Sequence, residues 1–314
     1  MNLFLVVPCY NEEEVLPDTA GKLLAKMNAL LACGAITAGS IVFVDDGSKD
    51  GTWKLIEKFH EENGMFRGIR LSRNKGHQNA LLAGLMTVKT ECDAAISLDA
   101  DLQDDIDAID TMVEKYKEGY EIVYGVRSSR KKDSIFKRTT AVAFYKLMRA
   151  MGVEMIYNHA DFRLMGKRAL EALESFSEVN IFLRGMIPMI GFQSTVVEYE
   201  RGVRLAGESK YPFRKMLEFS FEGITSLSIR PVRLITTAGI LMFLFSLGYL
   251  LYSLIRYWCG FTIAGWTSTV ISIWAVGGLN MLSLGVIGEY IGKIYLETKR
   301  RPRYIIDTYL GGTL

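Results

Sequence analysis

Several common centres are ruled out by what this sequence lacks. Its four cysteines, Cys9, Cys33, Cys92 and Cys259, have neither metal-ligand nor redox spacing. Free thiols in a reducing compartment are therefore expected. Neither phosphate-binding glycine fingerprint is present: there is no G-x-x-x-x-G-K-[ST], and no G-x-G-x-x-G after the first strand. Any phosphate bound here must be neutralised in another way. The net charge is only +2 and decides little, and no nucleic-acid partner is expected. Internal repeats and low-complexity segments are missing too. No signal peptide is expected, because Pro8 and Asn11-Glu12-Glu13-Glu14 interrupt any early hydrophobic region.

Apolar residues, by contrast, are plentiful. They make up 49% of the 314 residues, and mean hydropathy is +0.16. The excess is concentrated near the end. Residues 234–255 and 257–288, runs of 22 and 32, carry no formal charge. A bilayer span needs about 20 mostly apolar residues, so two transmembrane helices are expected near 234–255 and 267–289. Arg230 and Arg233 precede the first, and Lys293, Lys299, Arg300, Arg301 and Arg303 follow the second. That charge pattern puts both ends in the cytoplasm, with Trp258 and Trp266 at the outer interface. A multi-pass protein of the bacterial inner membrane is the expectation, with membrane lipid as a partner. Small residues in 275–288 permit close helix packing, and so a homo-oligomer.

The first 230 residues alternate between strand and helix patterns. "LFLVVP" (3–8), "SIVFVDDG" (40–47), "FRGIRLS" (66–72) and "AAISLDAD" (94–101) read as buried strands. Residues 12–32, 50–63 and 77–90 read as helices between them. This alternation predicts an α/β fold, a mainly parallel sheet between helices. Ligands of such sheets bind outside the carboxyl ends of the strands. Polar clusters fall there repeatedly: residues 8–12, 45–48, 73–76 and 99–101.

Four carboxylates crowd the stretch "LDADLQDD" (98–105). If strand geometry continues through Ala100, Asp99 and Asp101 point the same way. Such a pair suits Mg²⁺ or Mn²⁺, held together with substrate phosphates. Asp104, Asp105 and Asp107 are expected in the first turn of the next helix.

Taken together, "VVPCYNEE", "VDDGSKDGT", "RNKGHQNALLAG" and "LDADLQD" resemble the motif series of family 2 glycosyltransferases with the A-type nucleotide-sugar fold. Within that family the chain is similar to dolichol-phosphate mannose synthases. It is more similar still to polyprenyl-phosphate (bactoprenol) glucosyltransferases, which end in two transmembrane helices. The resemblance implies that Pro8, Tyr10 and Glu12 line the nucleotide site. It implies that Asp45 and Asp46 contact base and ribose. Asp99, Ala100, Asp101 and Gln103 match its D-x-D-x-Q pattern, giving Asp99, Asp101 and Gln103 as the metal set. Arg127 would lie near the diphosphate. "RLAGESKY" implies that Arg204 and Lys210 close over the phosphates. Asp161, in "NHADFRLMGKRAL", matches a proposed general base. A lipid phosphate, however, has a second pKa of about 6 and is itself a nucleophile, so Asp161 either takes a proton or orients the acceptor or Arg163.

Residues 134–152 and 211–233 are basic or amphipathic patterns suited to a membrane interface. The expected domains are a cytoplasmic glycosyltransferase unit over 1–210, an interfacial region over 211–233, two membrane helices within 234–292 and a basic cytoplasmic tail over 293–314. The expected reaction is inverting transfer of one sugar, glucose first among the choices, from a nucleotide diphosphate sugar such as UDP-glucose to undecaprenyl phosphate. Two alternatives stand beside it. One is a processive polysaccharide synthase, for which the Q-x-x-R-W motif is missing. The other is a non-catalytic nucleotide-sugar-binding membrane protein.

Overall fold

In a computed structural model that describes residues 1–128, 151, 159–200, 224–225, 228–259 and 265–312, strand β1 (Asn2–Cys9) occupies the middle of the sheet. Every residue from Leu3 to Cys9 is buried. A central strand covered on both faces has no use for polar alternation. Leu3, Leu5 and Val7 enter one core, and Phe4 and Val6 enter the other. Strands β2 (Ala38–Asp45) and β4 (Ala94–Ser97) flank β1 in parallel, and β3 (Phe66–Leu71) follows β2. Helices α1 (Leu16–Ala32), α2 (Thr52–Glu62), α3 (His77–Val88) and α4 (Ala108–Lys117) complete the expected alternation.

The rest of the sheet departs from pure parallel order. Strand β5 (Ile122–Arg127) does not pair with β4. Strand β6 (His159–Gly166) lies between them, antiparallel to both, and β7 (Ser194–Tyr199) runs parallel to β5 at the edge. Helices α5 (Lys167–Glu174) and α6 (Leu183–Met189) separate β6 from β7. At the opposite edge, β8 (Ile306–Leu310) pairs antiparallel with β3. The eight-stranded order is β7-β5-β6-β4-β1-β2-β3-β8. Residues expected as a tail thus supply an edge strand. Tyr309 of β8 is 9% exposed and joins the core. Its hydroxyl donates to Glu91 Oε1 and accepts from Arg67 Nη1, each at 3.1 Å.

Two long helices form where membrane spans were expected: α7 (Arg230–Trp258, 29 residues) and α8 (Trp266–Lys299, 34 residues). Among the described residues, however, no helix is long and apolar enough to cross a membrane. This corrects the expectation of two transmembrane helices, and with it the multi-pass membrane localisation. The uncharged runs include Thr236 and Thr237, whose hydroxyls donate to their own helix at Val232 O and Arg233 O. The last third of α8 carries Glu289, Lys293, Glu297 and Lys299.

Helix α3 approaches the sheet closely at Gly84. A Cβ there would stand 2.4 Å from Val6 Cγ1 and 2.7 Å from Val44 Cγ2. Gly84→Val is therefore expected to destabilise the fold through overpacking, toward the upper end of about 1–3 kcal/mol. Chemical denaturation checks this, and an unchanged midpoint would show that α3 sits further from β1 and β2.

Candidate active site

The parallel strands β1, β2, β3 and β4 deliver their carboxyl ends to one edge of the sheet. The loops after β1 and β2 are laced together there. Asn11 N donates to Ser48 Oγ at 3.0 Å, and Lys49 N donates to Asn11 Oδ1 at 2.9 Å. Glu12 N donates to Thr52 Oγ1 at 3.0 Å. Asn11 holds φ at 53°, a left-handed conformation that asparagine tolerates better than most residues. Pro8 is buried in register with Val44. Tyr10 is exposed and Glu12 half-buried.

Asp45 and Asp46 end β2 in the interior. Asp45 Oδ1 accepts from Ser48 N at 3.0 Å, and its Oδ2 has no hydrogen-bond partner among the described residues. Arg70 Nε lies 3.9 Å from that oxygen. Burial raises the Asp45 pKa against the pull of Ser48 and Arg70. Asp46 accepts from Lys75 N at 2.6 Å and Gly76 N at 2.8 Å. Burial raises its pKa too, against those two bonds. Asp46 therefore ties the loop after β3 to the end of β2. Gly47 makes that approach sterically feasible. Its φ is 68°, and a Cβ there would meet Asn74 N at 2.7 Å. Beside this knot lies an open depression of about 330 Å³, lined by Gly47, Ser48, Arg70, Arg73 and, from β8, Asp307.

The carboxylate-rich stretch does not continue as a strand. Strand β4 ends at Ser97, and Ala100 and Asp101 lie in a turn. Leu102 takes φ 43°, unusual for a branched side chain. Strand alternation therefore does not align Asp99 with Asp101; the turn sets their positions. Asp101 Oδ2 accepts from Gln103 Nε2 at 2.7 Å. Ala100 is buried, and its carbonyl accepts from Thr19 Oγ1 at 2.6 Å. The Asp99 pKa is pushed up to about 6, first by burial, then by the carboxylates of Asp161, Asp104 and Asp101 acting against the opposing charge of His77.

Asp104 does not cap the next helix, which starts at Ala108. It is 6% exposed. Its Oδ1 accepts from Arg127 Nη2 at 3.2 Å and Tyr199 OH at 2.5 Å. Arg127 is thereby held at the end of β5. Asp105 Oδ1 accepts from Asp107 N at 3.0 Å, just ahead of α4.

Asp161 is the densest node. Its Oδ1 accepts from Arg163 Nη2 at 2.5 Å and Arg184 Nε at 3.2 Å, and its Oδ2 accepts from Arg184 Nη2 at 2.9 Å. His77 Nε2 lies 3.7 Å from Asp161 Oδ2 and 3.5 Å from Asp99 Oδ1. Burial alone would raise the Asp161 pKa, but Arg184, His77 and Arg163 outweigh it and hold the carboxyl well below the usual range. Burial likewise depresses His77, while Asp161 and Asp99 reverse the sign and raise its pKa overall. Ser97 Oγ donates to the Asp161 carbonyl, fixing this residue against β4.

The structure thus brings Asp45, Asp46, Asp99, Asp101, Gln103, Arg127 and Asp161 to one sheet edge. Arg204, Lys210 and most of 134–152 and 211–233 lie outside the described residues. Among the described residues, no group of three or more His, Cys, Asp or Glu side chains gathers to hold a metal ion. The sequence reading passed over His77, Arg184, Tyr199 and Asp307. His77 stood inside a quoted motif, at the start of a helix. The i, i+2 spacing of Asp161 and Arg163 on one strand was a readable sign of their pairing. Nothing local marks Arg184.

Residues 4–174 match the family model "Glycosyl transferase family 2", and residues 230–294 match "GtrB C-terminal hairpin". A Bacillus subtilis (strain 168) protein, "Uncharacterized glycosyltransferase YkoT", is 53% identical over 306 residues, covering 97% of this chain and 91% of the relative. The "Bactoprenol glucosyl transferase" of Shigella phage SfX is 39% identical over 313 residues, covering 98% and 99%. Among solved structures, the mannosyltransferase PcManGT from Pyrobaculum calidifontis, in complex with GDP-Man and Mn²⁺, covers 94% of this chain and 84% of its own at 16% identity, with a TM-score of 0.45. The chain belongs to glycosyltransferase family 2, and it is a glycosyltransferase.

Proposed function

We propose that the enzyme transfers a single glucose from UDP-glucose to a polyprenyl phosphate, with inversion at the anomeric carbon. The observation that carries this reading is the pairing of two stations at one sheet edge. The acidic turn Asp99–Gln103 faces the cation-bearing node of Asp161, Arg163, Arg184 and His77. The name of the Shigella phage relative supports the lipid phosphate acceptor and the glucose.

The nucleoside end of the donor fits the depression beside Asp45, whose Oδ2 lacks a hydrogen-bond partner among the described residues, with Tyr10 and Glu12 nearby in the laced loops. A divalent cation fits the acidic turn. Asp99 titrates near 6 because burial and neighbouring carboxylates disfavour its charge, and a cation relieves that cost. Two carboxylates and an amide oxygen are a hard donor set, completed by substrate phosphates. Asp99, Asp101 and Gln103 would hold Mg²⁺ or Mn²⁺, which when bound neutralises the diphosphate leaving group. Arg127 stands within reach of the same charge, aligned by Asp104 and Tyr199.

On the acceptor side, a carboxyl held so far below its usual range is a weak base. A lipid phosphate, with its second pKa of about 6, needs no base to become a nucleophile. Asp161 therefore orients Arg184, whose side chain is 33% exposed while Arg163 is 1% exposed. Arg184 is the guanidinium placed to receive the acceptor phosphate. The apolar side chains exposed along α7 and α8, among them Leu241, Phe245, Ile255, Leu284 and Ile291, suit an acceptor with a long hydrocarbon tail.

Purified protein with UDP-glucose, undecaprenyl phosphate and Mg²⁺ or Mn²⁺ is expected to release UDP and form a lipid-linked monosaccharide. Asp101→Ala is expected to cut turnover by about 10²-fold or more, the scale of losing one electrostatic contact to the transition state. Metal-independent turnover, or a long polymer as product, would refute this assignment.

Asp161 also carries a stability consequence. Asp161→Ala leaves the buried Arg163 without its carboxylate and should cost about 3–5 kcal/mol in urea unfolding. Because the folded pKa is depressed, this contribution is fully present above the unfolded carboxylate range, about pH 4. It is lost as pH falls through the folded value. A variant as stable as the parent at pH 7 would show the node to be solvated.

A further inference from the structure

The segment from 175 to 182, between α5 and α6, has no regular structure, yet it sets where Arg184 stands. Distant side chains fix it. Glu297, in the last turn of α8, accepts from Val179 N with both carboxylate oxygens at 2.8 Å. The same carboxylate accepts from Asn180 N at 3.0 Å and Asn180 Nδ2 at 3.3 Å. Gln78 Oε1, one residue into α3, accepts from Leu183 N at 2.9 Å. Arg303, just past α8, donates to the Phe176 carbonyl. Ile181, Phe182 and Leu183 are buried between these anchors, and the next residue, Arg184, grips Asp161 through two bonds.

Two consecutive amides bonded to one carboxylate form a charge-assisted attachment, stronger than neutral bonds. Arg184 lies four positions after Asn180, a covalent reach of at most about 13–14 Å, and the burial of 181–183 removes the slack. A shift of Glu297 therefore passes directly to Arg184. We infer that Glu297 is a positioning residue: the last turn of α8 sets the seat of Arg184 on Asp161 and so ties the long helices to the acceptor side of the site. The inference rests on the reading that Arg184 meets the acceptor phosphate.

The test uses the full chain and follows UDP release from UDP-glucose with undecaprenyl phosphate. Glu297→Ala is expected to lower kcat about 10- to 100-fold, the range of a displacement near 1 Å at a reacting group. KM for UDP-glucose should change by less than about twofold, because only the acceptor side moves. Glu297→Gln keeps an acceptor oxygen and should recover most of kcat. Glu297→Asp withdraws the carboxylate by one methylene and should fall between. Full kcat in Glu297→Ala, or in Glu297→Asp where the alanine chain fails to fold, overturns the inference. So does a donor KM that rises in step with the loss of kcat, which signals general loosening. Arg184→Lys in the same assay separates the two layers. If it keeps full kcat, the acceptor role of Arg184 is wrong. If it loses kcat while the Glu297 variants do not, only the anchor is wrong.

Discussion

One buried carboxylate, Asp161, neutralises two arginines that approach from different elements, and the proposed acceptor half of the site is arranged around it. Arg163 comes from the same strand, and Arg184 comes from α6. Arg163 is 1% exposed, and its Nη1 has no hydrogen-bond partner among the described residues. A guanidinium at that depth is tolerable only with a carboxylate in contact, since an unpaired buried charge costs several kcal/mol. The antiparallel insertion of β6 between β4 and β5 brings Asp161 there. From that position it also reaches His77 at the start of α3, and through His77 the acidic turn.

The same constraint explains why so many like charges share one edge without unfolding it. Each carboxylate has a distinct local answer. Asp46 is absorbed by two backbone amides, Asp104 by Arg127 and a tyrosine hydroxyl, and Asp161 by its arginines. Asp99 has the weakest compensation, a histidine 3.5 Å away, and it is the one whose pKa is driven to about 6. The repulsion is therefore not spread evenly. It is concentrated at Asp99, the carboxyl group proposed to gain from a cation, while Asp46, Asp104 and Asp161 each have at least one oxygen bonded to a local donor.

What the sequence made legible follows from the range of the interactions involved. The first four strands and the three helices between them read correctly in kind, though β4 stops at Ser97, because a doubly covered parallel sheet writes itself as short apolar runs between amphipathic ones. Their polar carboxyl ends then mark the edge that carries the candidate site. Long-range pairings left weaker marks. Asp104 resembles a helix-starting acid by position, and only the return of β7 with Tyr199 shows it to be buried. Arg184 sits in an unremarkable apolar stretch, and its partner is 23 positions away. The uncharged runs near the end read as spans from their length and composition, whereas among the described residues no helix is long and apolar enough to cross a membrane. The strand at 306–310 is five residues long and follows a basic segment, so its pattern cannot be told from a tail without its partner β3.

That last strand changes how the C-terminal third relates to the rest. The chain leaves the sheet through α7 and α8 and is then fastened back twice. Glu297 binds the segment leading to Arg184, and β8 pairs along β3 with Asp307 at the rim of the depression beside Asp45. One attachment lies on the proposed acceptor side and the other on the proposed donor side. A helical hairpin joined to a catalytic unit only at its entry would be free to swing about that point. Fastened on both sides of the sheet's carboxyl edge, it becomes part of the scaffold that sets the distance between the proposed acceptor and donor sides. A displacement of α8 must then alter that distance or break one of the two attachments.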